Sequence, residues 1–572
     1  MAEKGLNIVV IGAGVAGMSA ALKAFDLGAS VTIIAQDMPY RSGSTCVRDG
    51  FSAAVGLASG DSPEQHAEDT LRCGEFLASR SAVRRMCEQA PDIAELLLRL
   101  GLVFDRTTEG LPSLSRAAGS TFARTLSSGR SIGQRLVSVL SGRILRACSS
   151  GRLTAYYGWE FLSLIQDESG RARGVIAQEL RNMEIKAFAA DAVILCTGGY
   201  PAIFGRHCRS AANDGAAIVS CMEQGAAIAN PEFVQVTPLA MSVSSRARSV
   251  PDSVLSSGGA VWIERDGKPW HFLKEWHGAS GGAVPDDLVL NSLVRACKEA
   301  GARTNAARLD LTHLNPETIG LKMPFLLDAC DAAGLDPSSE TMDIAPAVRN
   351  SLGGLWAKLD HSTSIEGLFA AGSAVCLYHG ACAMSGNDLL ASVHGGMVAA
   401  ESAVSSACQK GAGAAELSAS LVSHAKERET DLVSRISAKQ GTENAYSIAS
   451  ELSSTLFEKA LIEKDNEQLA RAAGKIAELS EKLARAQLID RSEWSNSELS
   501  FHRRLAKRLV LADIYVAASI AREESRGGHR KAAIPKKDDK KWFVTTRAFM
   551  KSGKMALDLS ERVNGEPGDR GY

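Results

Sequence analysis

Six residues near the start of the chain, Gly12-Ala13-Gly14-Val15-Ala16-Gly17, have the types and spacing to hold a phosphate group. In a tight turn from strand to helix, Gly12 permits the turn, Gly14 lets the backbone approach a pyrophosphate, and Gly17 lets the helix pack on the strand. The anion then sits at the helix N-terminus, beside the first-turn residue Ala16. The elements that must position this turn are legible on either side of it. The apolar run Leu6 to Ile11 predicts a strand, Met18-Ser19-Ala20-Ala21-Leu22 opens a helix, and Ala29 to Ile34 predicts a second strand, giving a βαβ unit. The acid that commonly follows such a second strand and holds a ribose is not obvious. Ala35 and Gln36 stand there with Asp37 just beyond, which leaves Gln36 as the candidate contact. A glycine-rich turn in another α/β protein would share this local pattern.

With 572 residues the chain exceeds one hydrophobic core, and domains of roughly 100–200 residues suggest three or four. Lys+Arg 64 against Asp+Glu 65 gives a net charge of -1, so nothing favours nucleic acid or an anionic membrane. The 12 cysteines are scattered without a CxxC pair or a Cys/His cluster, so no metal or iron–sulfur site is expected within the chain. Reduced thiols fit a cytosolic compartment. Met1-Ala2-Glu3-Lys4-Gly5 leads into the first strand without an apolar signal core, and no run of about 18 apolar residues follows. The expectation is a cytoplasmic protein without direct membrane insertion, peripheral to a membrane only through a partner.

Further motifs recur in chain order. Tyr40-Arg41-Ser42-Gly43-Ser44-Thr45 runs through a polar segment to Gly50, and Ala192 to Cys196 is an apolar strand entering Thr197-Gly198-Gly199. Asn213-Asp214-Gly215 precedes a helical stretch, where Asp214 is either an N-cap or a cofactor neighbour, or both. Gly367 to Ser373, His379-Gly380-Ala381, Ser385-Gly386-Asn387-Asp388-Leu389-Leu390 and the late Glu523-Glu524-Ser525-Arg526-Gly527-Gly528-His529 complete the set. Together these resemble the succinate dehydrogenase, fumarate reductase and L-aspartate oxidase flavoprotein family over almost the whole length. The resemblance implies an α/β fold: a Rossmann-like FAD-binding domain (1–237 and 346–408) with an inserted α+β capping domain (238–345), a C-terminal helical domain (409–522) and a small tail domain (523–572). It adds Ser42, Gly43, Ser44, Thr45, Gly50, Thr197, Gly198, Gly199, Asp214, Gly372, Ser373, Asn387, Leu389 and Leu390 as FAD contacts, the last three at a helix start whose N–H groups suit the charge of a reduced flavin. In the helical domain, charge runs are expected to be solvated helix faces.

The sequence departs from the family where substrate is held. Relatives that link FAD covalently carry a histidine where Gly43 stands, so FAD is expected to bind non-covalently. Thr237-Pro238-Leu239 replaces His-Pro-Thr, Asp286 stands for the proton-delivering arginine, Arg349 for a histidine ahead of Gly353-Gly354, and Ala383 for a further arginine. A dicarboxylate needs two cationic clamps and an acid or base over its central carbons, so succinate and fumarate are not expected as substrates. Arg349, His379 and Asp286 are the catalytic candidates. Arg349 has the alternative of a plain ion-pair arginine, and His379 that of hydrogen-bonded support. The reading is an FAD-dependent oxidoreductase acting on another small molecule, with an iron–sulfur protein subunit as its electron route. An adenylylsulfate reductase-like α subunit, whose larger usual chain counts against it, and an electron-transfer or scaffold flavoprotein subunit without its own substrate are the alternatives.

Overall fold

The computed structural model of the chain describes residues 5–41, 50–243, 246–251, 253–278, 284–409 and 417–564. Ser42, Gly43, Ser44 and Thr45, expected at the cofactor, lie outside the described residues. The chain runs through β1 (Asn7–Ile11), α1 (Val15–Asp26), β2 (Ser30–Ala35), α2 (Pro63–Cys73), β3 (Leu153–Tyr157), β4 (Ala192–Leu195) and α3 (Ala216–Glu223). It continues through β5 (Val234–Val243), α4 (Asp286–Glu299), β6 (Met342–Ser351), β7 (Leu368–Ala370) and α5 (Asn387–Gln409). The helices α6 (Ala419–Ser437), α7 (Ala445–Leu456), α8 (Asn466–Arg485) and α9 (Ser497–Ala521) follow.

A five-stranded sheet in the order β7-β4-β1-β2-β3 is parallel throughout, with β1 at its centre and Ile8 opposite Val31 on one side and Ala192 on the other. Helices α1 and α5 cover one face and the antiparallel strands Trp159–Gln166, Ala172–Glu179 and Ile185–Ala189 the other, so Ile8, Val9 and Val10 are fully buried and β1 reads as a continuous apolar run rather than an alternating one. Small residues let α1 and α5 meet closely: a Cβ added to Gly396 would stand 2.3 Å from the Ala16 carbonyl oxygen.

The long antiparallel strands β5 and β6 carry the chain out of this layer and back. Between them, side chains from Leu239 to Ile344 build a hydrophobic core of their own. Trp270, Phe272 and Trp276 meet edge to face within it. At the other end, the hairpin Val544–Lys551/Lys554–Arg562 joins a sheet with Ile228–Ala229, Gly354–Trp356 and Val375–Cys376, so the tail is stitched into the first half of the chain.

Side-chain caps set where the helical domain's helices begin: Ser418, Asn444, Asp465 and Asn496 each accept a backbone N–H from the first turn. On α8 the buried stripe Leu469, Ala472, Ile476, Leu479 and Leu483 leaves the charges Glu467 and Arg471 to solvent. On α9 the expectation of solvated charge is corrected. Its arginines turn toward the dinucleotide-binding half, where Arg503 pairs with Glu160 at 2.6 Å and Arg504 and Arg508 both pair with Asp214, at 2.7 and 2.9 Å. The reason is that α9 packs on α3, which brings Asp214 within reach from nearly three hundred residues earlier.

Candidate functional site

The glycine turn forms as its spacing requires. Gly12 has φ +106°, a conformation costly for a side chain, and a Cβ there would lie 2.4 Å from the Cys196 carbonyl oxygen. A Cβ on Gly17 would come within 1.9 Å of the Gly12 carbonyl oxygen, so α1 can pack this tightly only with glycine there. Helix α1 starts after Gly14, which offers no side-chain cap, so its first-turn N–H groups are left for a ligand.

From this turn a pocket extends past the carboxyl ends of β1, β2, β4 and β7, where open parallel sheets bind ligands. Gly12, Gly14, Ala16, Gln36, Thr197, Gly198, Asp214, Gly372, Ser373 and Leu389 line it, and Asp37 stands beside Gln36. Gly17, Gly50, Gly199, Asn387 and Leu390 do not line it. Gly17 and Gly199 are close-packing positions, against Gly12 and Ser351, and Gly50 faces the Thr125 methyl. Leu390 is fully buried. The Asn387 side chain, also fully buried, is held by His66 Nε2 at 2.9 Å and donates to Thr70 Oγ1 at 2.8 Å. That contact pins the start of α5 to α2, which Arg124 anchors in turn through Asp61 and Asp69, each at 2.7 Å. Burial pushes the His66 imidazole down to about 4, keeping it neutral.

Asp214 serves two purposes. Its Oδ1 accepts the Ala216 N–H at 3.1 Å, although Gly215, with φ +75°, is the N-cap residue of α3, and its Oδ2 takes Arg504 and Arg508. Burial would favour a neutral Arg504, but the Asp214 and Glu160 carboxylates outweigh it and raise its pKa. Arg504, Trp159 and Phe161 line the pocket and escape sequence reasoning. The late helix that supplies Arg504 shows only a basic run His502-Arg503-Arg504 with Lys507-Arg508, which does not disclose its far-off partners.

The catalytic candidates divide into two neighbouring pairs. Arg349 on β6 donates from Nη1 to Asp286 Oδ2 at 2.9 Å and from Nη2 to Ser385 Oγ at 2.6 Å. Asp286, the first residue of α4, also accepts Gln235 Nε2 at 3.2 Å. Arg349 and Asp286 are only 7% and 5% exposed, so this is a buried ion pair rather than a surface one. The backbone of Ala383 is clamped to Gln235 in both directions, at 3.1 and 3.3 Å. His379 is part of the second pair: its Nε2 lies 3.8 Å from Asp388 Oδ1, which also accepts Asn350 Nδ2 at 2.7 Å. Since Asn350 follows Arg349 on β6, both pairs hang on one strand. Thr237 is buried with its hydroxyl accepting the Leu239 N–H at 3.3 Å.

The late Glu-Ser-Arg-Gly-Gly-His motif braces this site from behind. The Gly528 N–H donates to the Ala381 carbonyl at 3.0 Å, and Arg526 is buried between Glu524 and Asp539 at 2.8 and 2.7 Å. Arg522, wholly buried, joins Glu232 and Glu524 next to it. Among the described residues no group of three or more His, Cys, Asp and Glu could hold a metal ion. No helix among them is long and apolar enough to cross a membrane.

Residues 7–389 match the family profile of the FAD binding domain, and residues 449–570 that of the fumarate reductase flavoprotein C-term. The chain is 37% identical over 547 residues to the succinate dehydrogenase flavoprotein subunit of Bacillus subtilis (strain 168), covering 95% of this chain and 93% of that one. It is 28% identical over 566 residues to the fumarate reductase flavoprotein subunit of Mycobacterium tuberculosis (strain ATCC 25618 / H37Rv), covering 96% and 95%. A FrdA variant of E. coli quinol fumarate reductase superposes with TM-score 0.91 at 23% identity over 99% of this chain and 98% of that one. An adenosine-5-phosphosulfate reductase in complex with sulfite does so with TM-score 0.77 at 17% identity over 98% and 96%. At those identities the likeness is one of fold.

Proposed function

The chain belongs to the FAD-dependent flavoprotein family of the succinate dehydrogenases and fumarate reductases, and from that premise we propose that it is an oxidoreductase subunit acting on a small molecule other than succinate or fumarate. In this reading FAD is bound without a covalent link and electrons pass to or from an iron–sulfur partner, because flavin exchanges two electrons and the chain carries no cluster motif of its own. The observation that carries the substrate reading is the commitment of Arg349 to Asp286 at 2.9 Å. A dicarboxylate site needs guanidinium charge free to face two carboxylates. Here the arginine's charge is countered by an acid, and Ala383 brings only a methyl group.

The pocket fits a dinucleotide on the ground that the space at Gly12 and Gly17 admits no side chain and the first-turn N–H groups of α1 have no side-chain cap. FAD supplies the electron-pair chemistry when bound there. The Gly12 to Ala16 turn holds its pyrophosphate, Gln36 and Asp37 serve its ribose, and Asp214, braced by Arg504 and Arg508, closes the pocket wall. In the candidate active site the Arg349 fork orients an anionic or carbonyl group and does not move protons, since a guanidinium stays charged at physiological pH. His379, whose Nε2 lies 3.8 Å from Asp388 Oδ1, is the ligand-facing donor beside it. The capping residues 238–345 exclude water from this cleft, the remaining boundaries being those read from the sequence. The protein works at the cytoplasmic side, peripheral to a membrane where its partner is anchored.

Purification under mild lysis tests the whole reading. An iron–sulfur protein in stoichiometric amount together with acid-releasable flavin supports it. A lone yellow protein that oxidises succinate with a dye acceptor at ordinary enzyme rates overturns it.

A further inference from the structure

A second cavity, of about 440 Å³, lies along α1 from Ser19 onward, between that helix, α5 and the helices Arg80–Leu100 and Ile132–Cys148. The dinucleotide turn is at the other end of α1, and the two cavities share no lining residue. The walls are apolar except at Ser19 and four charged side chains, Lys23, Asp26, Arg143 and Arg146. Leu22, Phe25, Leu100 and Met397 pack against the main core yet remain half-buried, as does Leu96 beside them. Five such side chains around one hollow leave apolar area in water that the fold itself does not bury, at a cost proportional to that area.

The charges sort so as to leave two cations. Lys23 pairs with Glu401 at 2.9 Å, and Asp26 is exposed at the end of α1. Arg143 and Arg146 make no ion pair or hydrogen bond through their guanidinium groups among the described residues. They stand three residues apart on one helix face, where like charges repel, and Arg143 is half-buried. An anion between them relieves that repulsion and meets two planar forks that match a carboxylate. A helix of another protein needs a long groove, and a membrane needs a protruding face. A concave, mostly apolar hollow of this volume, inside the range of about 300–1,000 Å³ typical of small-molecule sites, suits one molecule with a hydrocarbon body and an anionic end.

We propose that this cavity binds one long-chain carboxylate, a fatty acid, with its tail against Leu22, Phe25, Leu96, Leu100 and Met397 and its carboxylate on Arg143 and Arg146. Such a ligand clamps α1 to α5, the two helices whose first turns line the dinucleotide pocket, so its occupancy should raise the stability of the FAD-loaded protein.

Calorimetric titration of the FAD-loaded protein with octanoate, decanoate and dodecanoate, each below its micelle concentration, tests this. One equivalent is expected to bind, with affinity rising about three- to fourfold for each added methylene and FAD content unchanged. Arg143→Gln/Arg146→Gln takes no partner from any group of the fold, so the variant should keep its FAD. It should bind dodecanoate about tenfold or more weakly, yet bind dodecanol, which has the same tail and no charge, within about twofold of the parent. Vesicles of phosphatidylglycerol form a separate arm. Absence of saturable dodecanoate binding overturns the proposal, as does affinity independent of chain length or unchanged in the double variant. Sedimentation with the vesicles without one-to-one dodecanoate binding also overturns it, and assigns the face to a membrane surface.

Discussion

Replacing Arg349 by Met removes the countercharge that stands 2.9 Å from a carboxylate only 5% exposed to solvent. At that depth, breaking one side of an ion pair costs about 3–5 kcal/mol, because the remaining charge keeps its desolvation penalty and loses its attraction. Asp286→Leu should cost a similar amount from the other side, leaving a guanidinium held by Ser385 Oγ at 2.6 Å. The double variant Arg349→Met/Asp286→Leu removes both charges and fills the space with apolar side chains of comparable length. Its cost should fall well below the sum of the two singles, with a coupling energy of about 2–3 kcal/mol. The assay is the urea midpoint of the FAD-loaded protein followed by flavin fluorescence, read only where the slope stays constant across the four proteins. Single variants each within about 0.5 kcal/mol of the parent, with an additive double, would mean that the two charges are not coupled. Arg349 would then be available to clamp an anionic substrate, and the argument against a dicarboxylate would lose its footing.

Gly12→Ala should yield protein without FAD, since its Cβ would sit 2.4 Å from the Cys196 carbonyl oxygen at φ +106°; stoichiometric flavin in that variant, measured by absorbance, would contradict the pocket assignment. Acid precipitation of the wild-type protein should release all flavin into the supernatant, because Gly43 offers no nucleophile at the linkage position; yellow colour in the washed pellet would say otherwise. His66, His361 and His394 are buried and held down to about 4, 4 and 3 by burial. Their unfolded pKa is about 6.5, so between pH 6.5 and about 4 the unfolded chain binds more protons and stability falls with falling pH. The urea midpoint should drop steadily from pH 7 to pH 5, and a flat profile would show that these imidazoles are not buried in neutral form.

The glycine turn and the parallel sheet around it were legible because they depend on neighbours in sequence: Gly12, Gly17 and the apolar run of β1 each carry their own requirement. The helical character of the late residues was legible as well, whereas their division into α6, α7, α8 and α9 and the polar caps that begin each helix emerge only from the structure. What the sequence hid is pairing at a distance. Arg504 and Arg508 read as a solvated face, yet they meet Asp214 across nearly three hundred residues. The Arg349–Asp286 pair was open between a ligand-facing arginine and an ion-paired one, and only the packing of α4 on β5, the strand beside β6, brings the two together. Asn387 was expected to contribute its backbone N–H, while its side chain turns out to lock α5 onto His66 and Thr70. Nothing local to any of these residues encodes the partner.

The most direct measurement is reoxidation of the reduced, FAD-loaded protein by fumarate, followed by flavin absorbance in a stopped-flow instrument without oxygen. With Arg349 committed to Asp286, Thr237 in place of a histidine and Ala383 in place of an arginine, reoxidation should be no faster with fumarate than with buffer. Each missing charge-assisted contact removes about 1.5–3 kcal/mol of stabilisation, so several together should put turnover beyond detection. Reoxidation within seconds at millimolar fumarate would contradict the account and return this chain to dicarboxylate chemistry.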